Sequence, residues 1–242
     1  MPTKDPSAGV PVEGAVALVT GGHRGFGRAL VDELLARGAA KVYSTSRAPQ
    51  PREDEREVPL ALDVTDDRSV SAAAQAAPDV SILVNNAGVL RRTPVLDAPL
   101  DDIRAELETN LFGVIRVARA FAPALARNRP SAMVNVLSVL SWLSLGSGYE
   151  VSKSAAWSAT NAMRVALREQ GTQVTALHVG YMDTDMTSGL DVPKADPRDI
   201  ARQAIDAILA GEPEVLADET TRMVKAALSR EVSVLYPQLV AA

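Results

Sequence analysis

The 242-residue chain contains no cysteine, which excludes disulfides, thiolate nucleophiles and zinc–thiolate centres together. Histidine is nearly as scarce: His23 and His178 stand too far apart for a local ligand motif, so no metal site is expected. No stretch approaches the 18 or so consecutive apolar residues that span a bilayer. The opening "MPTKDPSAGVPVEG" lacks the basic start and apolar core of a signal peptide, and residues 1–14 are expected to form a flexible tail. Basic residues are scattered and the net charge is −5, which argues against a nucleic-acid partner. These absences fit a reducing cytoplasm and no membrane association. With 47% hydrophobic residues, the chain can bury a full core. No internal linker or solenoid repeat divides it, so residues 15–242 are expected to form a single domain.

What the chain does have, early, is glycine. Residues 20–27 read "TGGHRGFG", and such a cluster is tolerated where backbone must turn tightly or be approached closely. Upstream, "AVALV" suits a strand buried on both faces; downstream, Leu30, Val31, Leu34 and Leu35 recur on one helical face and Gly38 marks a stop. A glycine-rich junction between strand and helix presents unpaired N–H groups and a partial positive charge, which suit a phosphate. An ordinary strand-to-helix turn is the competing reading. The absence of a following Lys-Ser or Lys-Thr disfavours a P-loop.

Short apolar runs then alternate with amphipathic ones. Strands are expected near residues 15–20, 41–45, 58–62, 81–85, 132–137, 173–179 and 214–216. Helices are expected near 26–37, 67–77, 100–128, 149–170 and 197–210, with another after Asp218. This alternation predicts an α/β fold, a doubly wound, mostly parallel, Rossmann-like sheet with helices on both faces. "PQPREDERE" (49–57) reads as a charged surface loop. Ligands in such folds collect beyond the carboxyl ends of the strands. Those ends carry Ser46 and Arg47, Asp63, "NNAG" (85–88), Ser138 and "GYMDTDM" (180–186).

Two helical stripes contain polar intruders. Ile103, Leu107, Asn110, Val114, Val117 and Phe121 trace one face, and a buried amide there must find partners or cost about 1–3 kcal/mol. Tyr149, Lys153, Ala156, Thr160, Met163 and Leu167 trace another, with phenol and ammonium one turn apart. An ammonium beside a phenol favours the phenolate and should draw its pKa towards working pH, making a competent general acid or base.

Taken together, Thr20-Gly21-x-x-x-Gly25-x-Gly27, Asn85-Asn86-Ala87-Gly88, Ser138 and Tyr149-x-x-x-Lys153 resemble the short-chain dehydrogenase/reductase family from about Ala15 to Met186. The resemblance implies a catalytic tetrad of Asn110, Ser138, Tyr149 and Lys153. Tyr149 would exchange a proton with the substrate oxygen, Lys153 would lower its pKa and hold the nicotinamide ribose, Ser138 would bond the substrate oxygen, and Asn110 would hold a water linking Lys153 to solvent. It also implies a dinucleotide bound by Thr20, Gly21, His23, Arg24, Gly25, Phe26 and Gly27, by Ser46, Arg47, Asp63 and Val64, by Asn85, Ala87 and Gly88, and by Gly180, Met182 and Thr184, with Tyr149 and Lys153 at the nicotinamide end.

Two departures stand out. Ten residues separate Ser138 from Tyr149, about two fewer than the family pattern, so Ser141 and Ser144 are alternatives to Ser138. Ser138 is preferred because "VNVLS" ends the fifth strand. Val179-Gly180 replaces the family's Pro-Gly, so the loop through Thr184 is expected to start less rigidly. No acid follows the second strand; Ser46 and Arg47 stand there instead, with Arg24 in the glycine turn. Two charge-assisted bonds at about 1.5–3 kcal/mol each would favour a 2′-phosphate, hence NADP(H) over NAD(H).

The expected activity is therefore NADP(H)-dependent hydride transfer to or from a small-molecule carbonyl or secondary alcohol. A nucleotide sensor without turnover is the alternative, although such a protein would be expected to lose Tyr149 or Lys153. Trp142, Leu143, Tyr181 and residues 187–195 are expected to line a partly apolar substrate pocket. Family resemblance further implies a homodimer or homotetramer.

Overall fold

The computed structural model describes residues 9–91 and 93–239. Among them, seven strands form one sheet in the order β3-β2-β1-β4-β5-β6-β7, every neighbouring pair being parallel. The strands are β1 (Val16–Val19), β2 (Lys41–Ser46), β3 (Glu57–Ala61), β4 (Ile82–Asn85), β5 (Ser131–Val136), β6 (Thr172–His178) and β7 (Glu214–Leu216). Between and after them run α1 (Gly25–Ala36), α2 (Asp67–Ala76), α3 (Leu100–Leu107), α4 (Val114–Arg127), α5 (Gly148–Ala166), α6 (Pro197–Ala210), α7 (Glu219–Ala227) and α8 (Val232–Leu235). No helix among the described residues is long and apolar enough to cross a membrane.

Period-two alternation sends each strand's side chains to opposite faces, and both faces are apolar, so both need cover. Ala17 and Val19, Ile82 and Val84, and Ala132 and Val134 join Leu30, Leu34, Ile200 and Ile205 in a core beneath α1 and α6. Leu18, Leu83 and Met133 join Phe121 and Leu125 in a second core beneath α4. Chain order reverses between β1 and β4, where β1 has β2 on one side and β4 on the other. That reversal opens a crevice at the carboxyl edge, beside the glycine turn.

Three sequence expectations are corrected. Residues 9–14 do not form a loose tail: Val10 and Val12 are buried in the first core. Val10 N–H donates to Ile208 O at 2.9 Å, and Gly14 N–H to Gly38 O at 2.9 Å. The two valines supply apolar cover for the ends of α1 and α6, which outweighs the Pro/Gly character of the segment. Residues 1–8 of the expected tail lie outside the described residues. The "PQPREDERE" loop also ends inside the protein, since Glu57 begins β3 and is buried. Arg28 grips both of its carboxylate oxygens at 2.8 Å, and Arg52 approaches at 3.2 Å, so the buried charge is paired. Finally, the helix expected over 100–128 is interrupted: residues Glu108–Gly113 form a π-helical turn between α3 and α4. Asn110 sits within it, as polar residues at functional sites often sit in π turns.

Candidate active site

The glycine turn is built to let something in. Gly21 and Gly25 adopt φ of +67° and +54°, left-handed values that side chains disfavour. A Cβ at Gly27 would stand 2.0 Å from Gly21 O, so only glycine lets α1 start this close to the turn. Thr20, buried at the end of β1, ties this turn to the one after β4. Its Oγ1 accepts the N–H groups of Asn86 at 2.8 Å and Ala87 at 2.9 Å. Asn86 returns the contact by donating to Thr20 O at 2.9 Å. Phe26 is buried in the first core. Asn85 is turned into the sheet, where its amide donates to Asn135 Oδ1 at 2.8 Å; its side chain braces β4 against β5.

Beyond the carboxyl end of β2, Ser46 Oγ lies 3.3 Å from His23 Nδ1. Arg52, which the sequence pattern did not single out, donates to His23 O at 3.2 Å. Burial, then the Arg52 charge, lowers the His23 pKa. Arg47 is exposed. Asp63 accepts from Thr65 N and Oγ1 at 2.9 and 2.7 Å; these bonds, and then the nearby Arg47, hold its carboxyl below the usual range. Val64 packs where a Cβ on Gly113 would meet its Cγ2 at 2.8 Å. Arg24, expected in the glycine turn near a 2′-phosphate, pairs with Asp185 at 3.3 Å, both side chains exposed. It joins the glycine turn to the loop after β6.

Asn110, Ser138, Tyr149 and Lys153 are all buried and converge beyond the carboxyl edge. Asn110 spends its amide on structure: Oδ1 accepts Val89 N–H at 2.9 Å, and Nδ2 donates to Val89 O and to Ser152 Oγ, each at 2.9 Å. It thereby clasps the strand-β4 loop to α5. Gly88 lies at the same point, since a Cβ there would stand 3.2 Å from Asn110 Oδ1 and 4.0 Å from Lys153 Nζ. Ser138 caps a short 3-10 turn (Val139–Ser141), its Oγ accepting Leu140 N–H at 3.1 Å, and its hydroxyl lies near enough to the Tyr149 phenol to favour the phenolate. The alternatives fall elsewhere: Ser141 Oγ accepts the Ser138 N–H at 3.3 Å, and Ser144 is exposed with its N–H donated to Tyr236 OH at 2.9 Å.

Lys153 reaches the end of β5 in this arrangement. Its Nζ donates to Val136 O at 2.9 Å and stands 5.7 Å from the Tyr149 ring centre. Burial pushes the ammonium down to about 8, because a charge removed from water is disfavoured. For the phenol, burial dominates and raises the pKa, the Glu106 carboxyl raises it further, and the Ser138 hydroxyl acts the other way.

Where Val179-Gly180 opens the loop after β6, Gly180 N–H donates to Asp218 Oδ2 at 2.6 Å and Val179 O accepts Val139 N–H at 2.9 Å. Asp218 also caps α7 through Thr221 N–H at 2.8 Å. Met182 bridges to Ala195 and packs on the first core. Thr184 caps the next 3-10 turn, and its Cβ lies 3.8 Å from where a Gly25 Cβ would be. Trp142, expected as pocket wall, is stacked on buried His178 at 3.8 Å. His178 Nδ1 in turn lies 3.1 Å from Ser138 O. An Asp-x-x-Thr cap signal marks the start of α7, but nothing local in sequence links Asp218 to Gly180. Glu106 was legible in principle, since it shares the face of Ile103 and Asn110.

A family model described as short chain dehydrogenase matches residues 15–194. The 3-oxoacyl-(acyl-carrier-protein) reductase FabG of Vibrio cholerae is 30% identical over 234 residues, covering 86% of this chain and 95% of its own. A short chain dehydrogenase of Burkholderia cenocepacia, solved in complex with NADP, superposes with a TM-score of 0.89 at 36% identity, over 95% of this chain and 99% of its own. An NADPH-bound carbonyl reductase from chicken fatty liver gives a TM-score of 0.76 at 25% identity, over 85% and 99%. With the fold, the crevice and the four converging side chains already in place, these likenesses show that the chain belongs to the short-chain dehydrogenase/reductase family of oxidoreductases.

Proposed function

We propose that the chain catalyses hydride transfer between NADP(H) and the carbon of a carbonyl or secondary alcohol, with Tyr149 as the general acid and base. One observation carries the reading: Tyr149, with the Ser138 hydroxyl nearby, and Lys153, beside Gly88 and Asn110, share a buried face of α5 at the mouth of the glycine-lined crevice. The crevice fits a dinucleotide, because Gly21, Gly25 and Gly27 leave a cradle that side chains would fill and α1 begins there. Residues 20–27 would hold the diphosphate, Asp63 and Val64 the adenine, Ala87 and Gly88 the ribose side, and Gly180, Met182 and Thr184 the carboxamide. When bound, the nicotinamide supplies or accepts the hydride.

The protein's own work is orientation and the proton. Ser138 holds the substrate oxygen against the Tyr149 hydroxyl, which gives its proton during reduction and takes one during oxidation. Lys153, already partly desolvated, needs little further change to hold ribose hydroxyls. Asn110 fixes the Val89 backbone and Ser152, keeping α5 and the β4 loop in register.

Arg47 stands beside Ser46, and Arg52, paired with Glu57, lies behind His23, so the residues directly after β2 are a hydroxyl and a cation rather than an acid. This supports NADP(H) over NAD(H), as does the NADP-bound relative at 36% identity. We place the protein in the cytoplasm as a homodimer or homotetramer, the arrangement that family resemblance implies. The test is a panel of ketones, aldehydes and secondary alcohols followed by NADPH absorbance, with NADH in parallel. NADPH-linked turnover at least tenfold above NADH is expected; NADH turnover equal to NADPH would overturn the cofactor preference. Tight NADPH binding with no turnover on the whole panel would favour a sensor instead.

A further inference from the structure

Glu106 lies in the last turn of α3, one turn before Asn110, and no part of it reaches solvent. Its Oε1 accepts the Arg91 N–H at 2.7 Å, while Oε2 is buried with no hydrogen-bond partner. That orphaned oxygen presses on the first turn of α5. A Cβ at Gly148 would stand 2.8 Å from Oε2 and 3.0 Å from Ile103 Cγ1, so glycine at 148 is what admits the carboxyl beneath the residue preceding Tyr149. A buried carboxyl with an unpaired oxygen is unfavourable on any stability ground, yet here it lies within electrostatic reach of the phenol that the mechanism uses.

The charged and titratable groups around it do not cancel it. On α5, Glu150 turns back on Ser147, accepting its N–H at 2.7 Å and its Oγ–H at 2.6 Å, and its charge adds to that of Glu106. After β4, the Arg91 guanidinium is engaged by Asp102 of α3 at 2.7 Å. Lys153, one turn beyond Tyr149, is committed to Val136 O. An ionised Glu106 therefore meets any phenolate at position 149 as a like charge, and like charges disfavour each other's ionisation.

We propose that Glu106 is a positioning residue that acts through Tyr149, keeping the phenol protonated and so biasing the site towards giving a proton to a carbonyl. The inference rests on the reading of Tyr149 as the proton donor. Burial also raises the pKa of Glu106 itself, and Glu150 and Asp102 add to this while Arg91 opposes it.

The test uses the full chain and the variants Glu106→Gln and Glu106→Leu, the second suited to an apolar site should the first fold poorly. Ionisation of Tyr149 is followed by NMR of isotope-labelled tyrosine phenol carbons, with and without NADP⁺, the signal being assigned with Tyr149→Phe. In parallel, the pH profile of kcat/KM for alcohol oxidation is measured. Both variants should move the phenolate midpoint, and the rising limb of oxidation, down by about one pH unit. Oxidation at fixed pH on that limb should rise up to about tenfold while NADPH affinity stays within about twofold. Glu108→Gln, a change to a half-buried acid two residues on that pairs with Arg116 at 2.8 Å, should move neither. Folded variants with an unmoved midpoint and intact turnover overturn the inference and leave the function standing. Absence of turnover by the unsubstituted chain across the panel overturns the function and, with it, the proton-donor role inferred here.

Discussion

Thr20→Val isolates the joint between the two turns that frame the crevice. Valine keeps the shape of threonine but removes Oγ1, which accepts the N–H groups of Asn86 at 2.8 Å and Ala87 at 2.9 Å in a residue only 1% exposed. Two half-buried donors lose their acceptor, at about 1–3 kcal/mol each. The backbone can relax a little and Asn86 still donates to Thr20 O, so a loss of about 3 kcal/mol is expected. For a domain of this length each kcal/mol moves Tm by about 2–4 °C, so Tm should fall by about 6–12 °C. NADPH affinity should fall as well, because the loosened Ala87–Gly88 segment lines the crevice. Thr20→Ser keeps the hydroxyl and loses one methyl, so it should cost no more than about 1 kcal/mol. Thermal melts and urea titrations of the three proteins, with NADPH binding by fluorescence, decide the matter. A valine variant melting within about 2 °C of the unsubstituted chain would refute the idea that Thr20 couples β1 to β4.

His178 gives a pH prediction. It is fully buried and its pKa is pushed down to about 4, by burial first, with the Ser138 backbone bond and Glu214 opposing and Lys225 and Lys153 reinforcing. The unfolded imidazole takes its proton near 6.5, so the unfolded state binds more protons between these values. Stability should be full above about pH 6.5 and decline by up to about 3 kcal/mol as pH falls towards 4. His178→Gln should flatten that part of the curve, measured by denaturant titration at stepped pH; an unchanged slope would contradict the assignment. Asp218→Ala removes both the 2.6 Å bond to Gly180 N–H and the cap of α7, and should cost about 1–2 kcal/mol. It should raise KM for NADPH severalfold with a smaller effect on kcat, and an unaltered KM would show that the loop after β6 is held by other contacts.

The sheet was legible because parallel strands buried on both faces read as apolar runs, and seven such runs became seven strands. Tyr149 and Lys153 were legible because their spacing puts both on one face of α5. The inward turn of residues 9–14 was not, since valines among prolines and glycines carry no periodic signal. Nor was the fate of charges: Arg24 turns to Asp185 and Glu57 goes inside between Arg28 and Arg52. Partners distant in sequence decide those outcomes, as Asp218 decides the anchoring of Gly180. The expected effect of Lys153 on Tyr149 rested on proximity alone. Burial of both groups, which raises the phenol and lowers the ammonium, and the carboxyl from a different helix are set by the tertiary fold and leave no such local signal.

The central claim is that the Tyr149 hydroxyl supplies the proton in an NADP(H)-linked reduction. Steady-state turnover of the best carbonyl substrate by Tyr149→Phe, with NADPH binding and melting temperature recorded on the same preparation, tests it most directly. The account predicts a loss of at least about a hundredfold in kcat with binding and stability nearly unchanged. A phenylalanine variant that turns over as fast as the unsubstituted chain would contradict it.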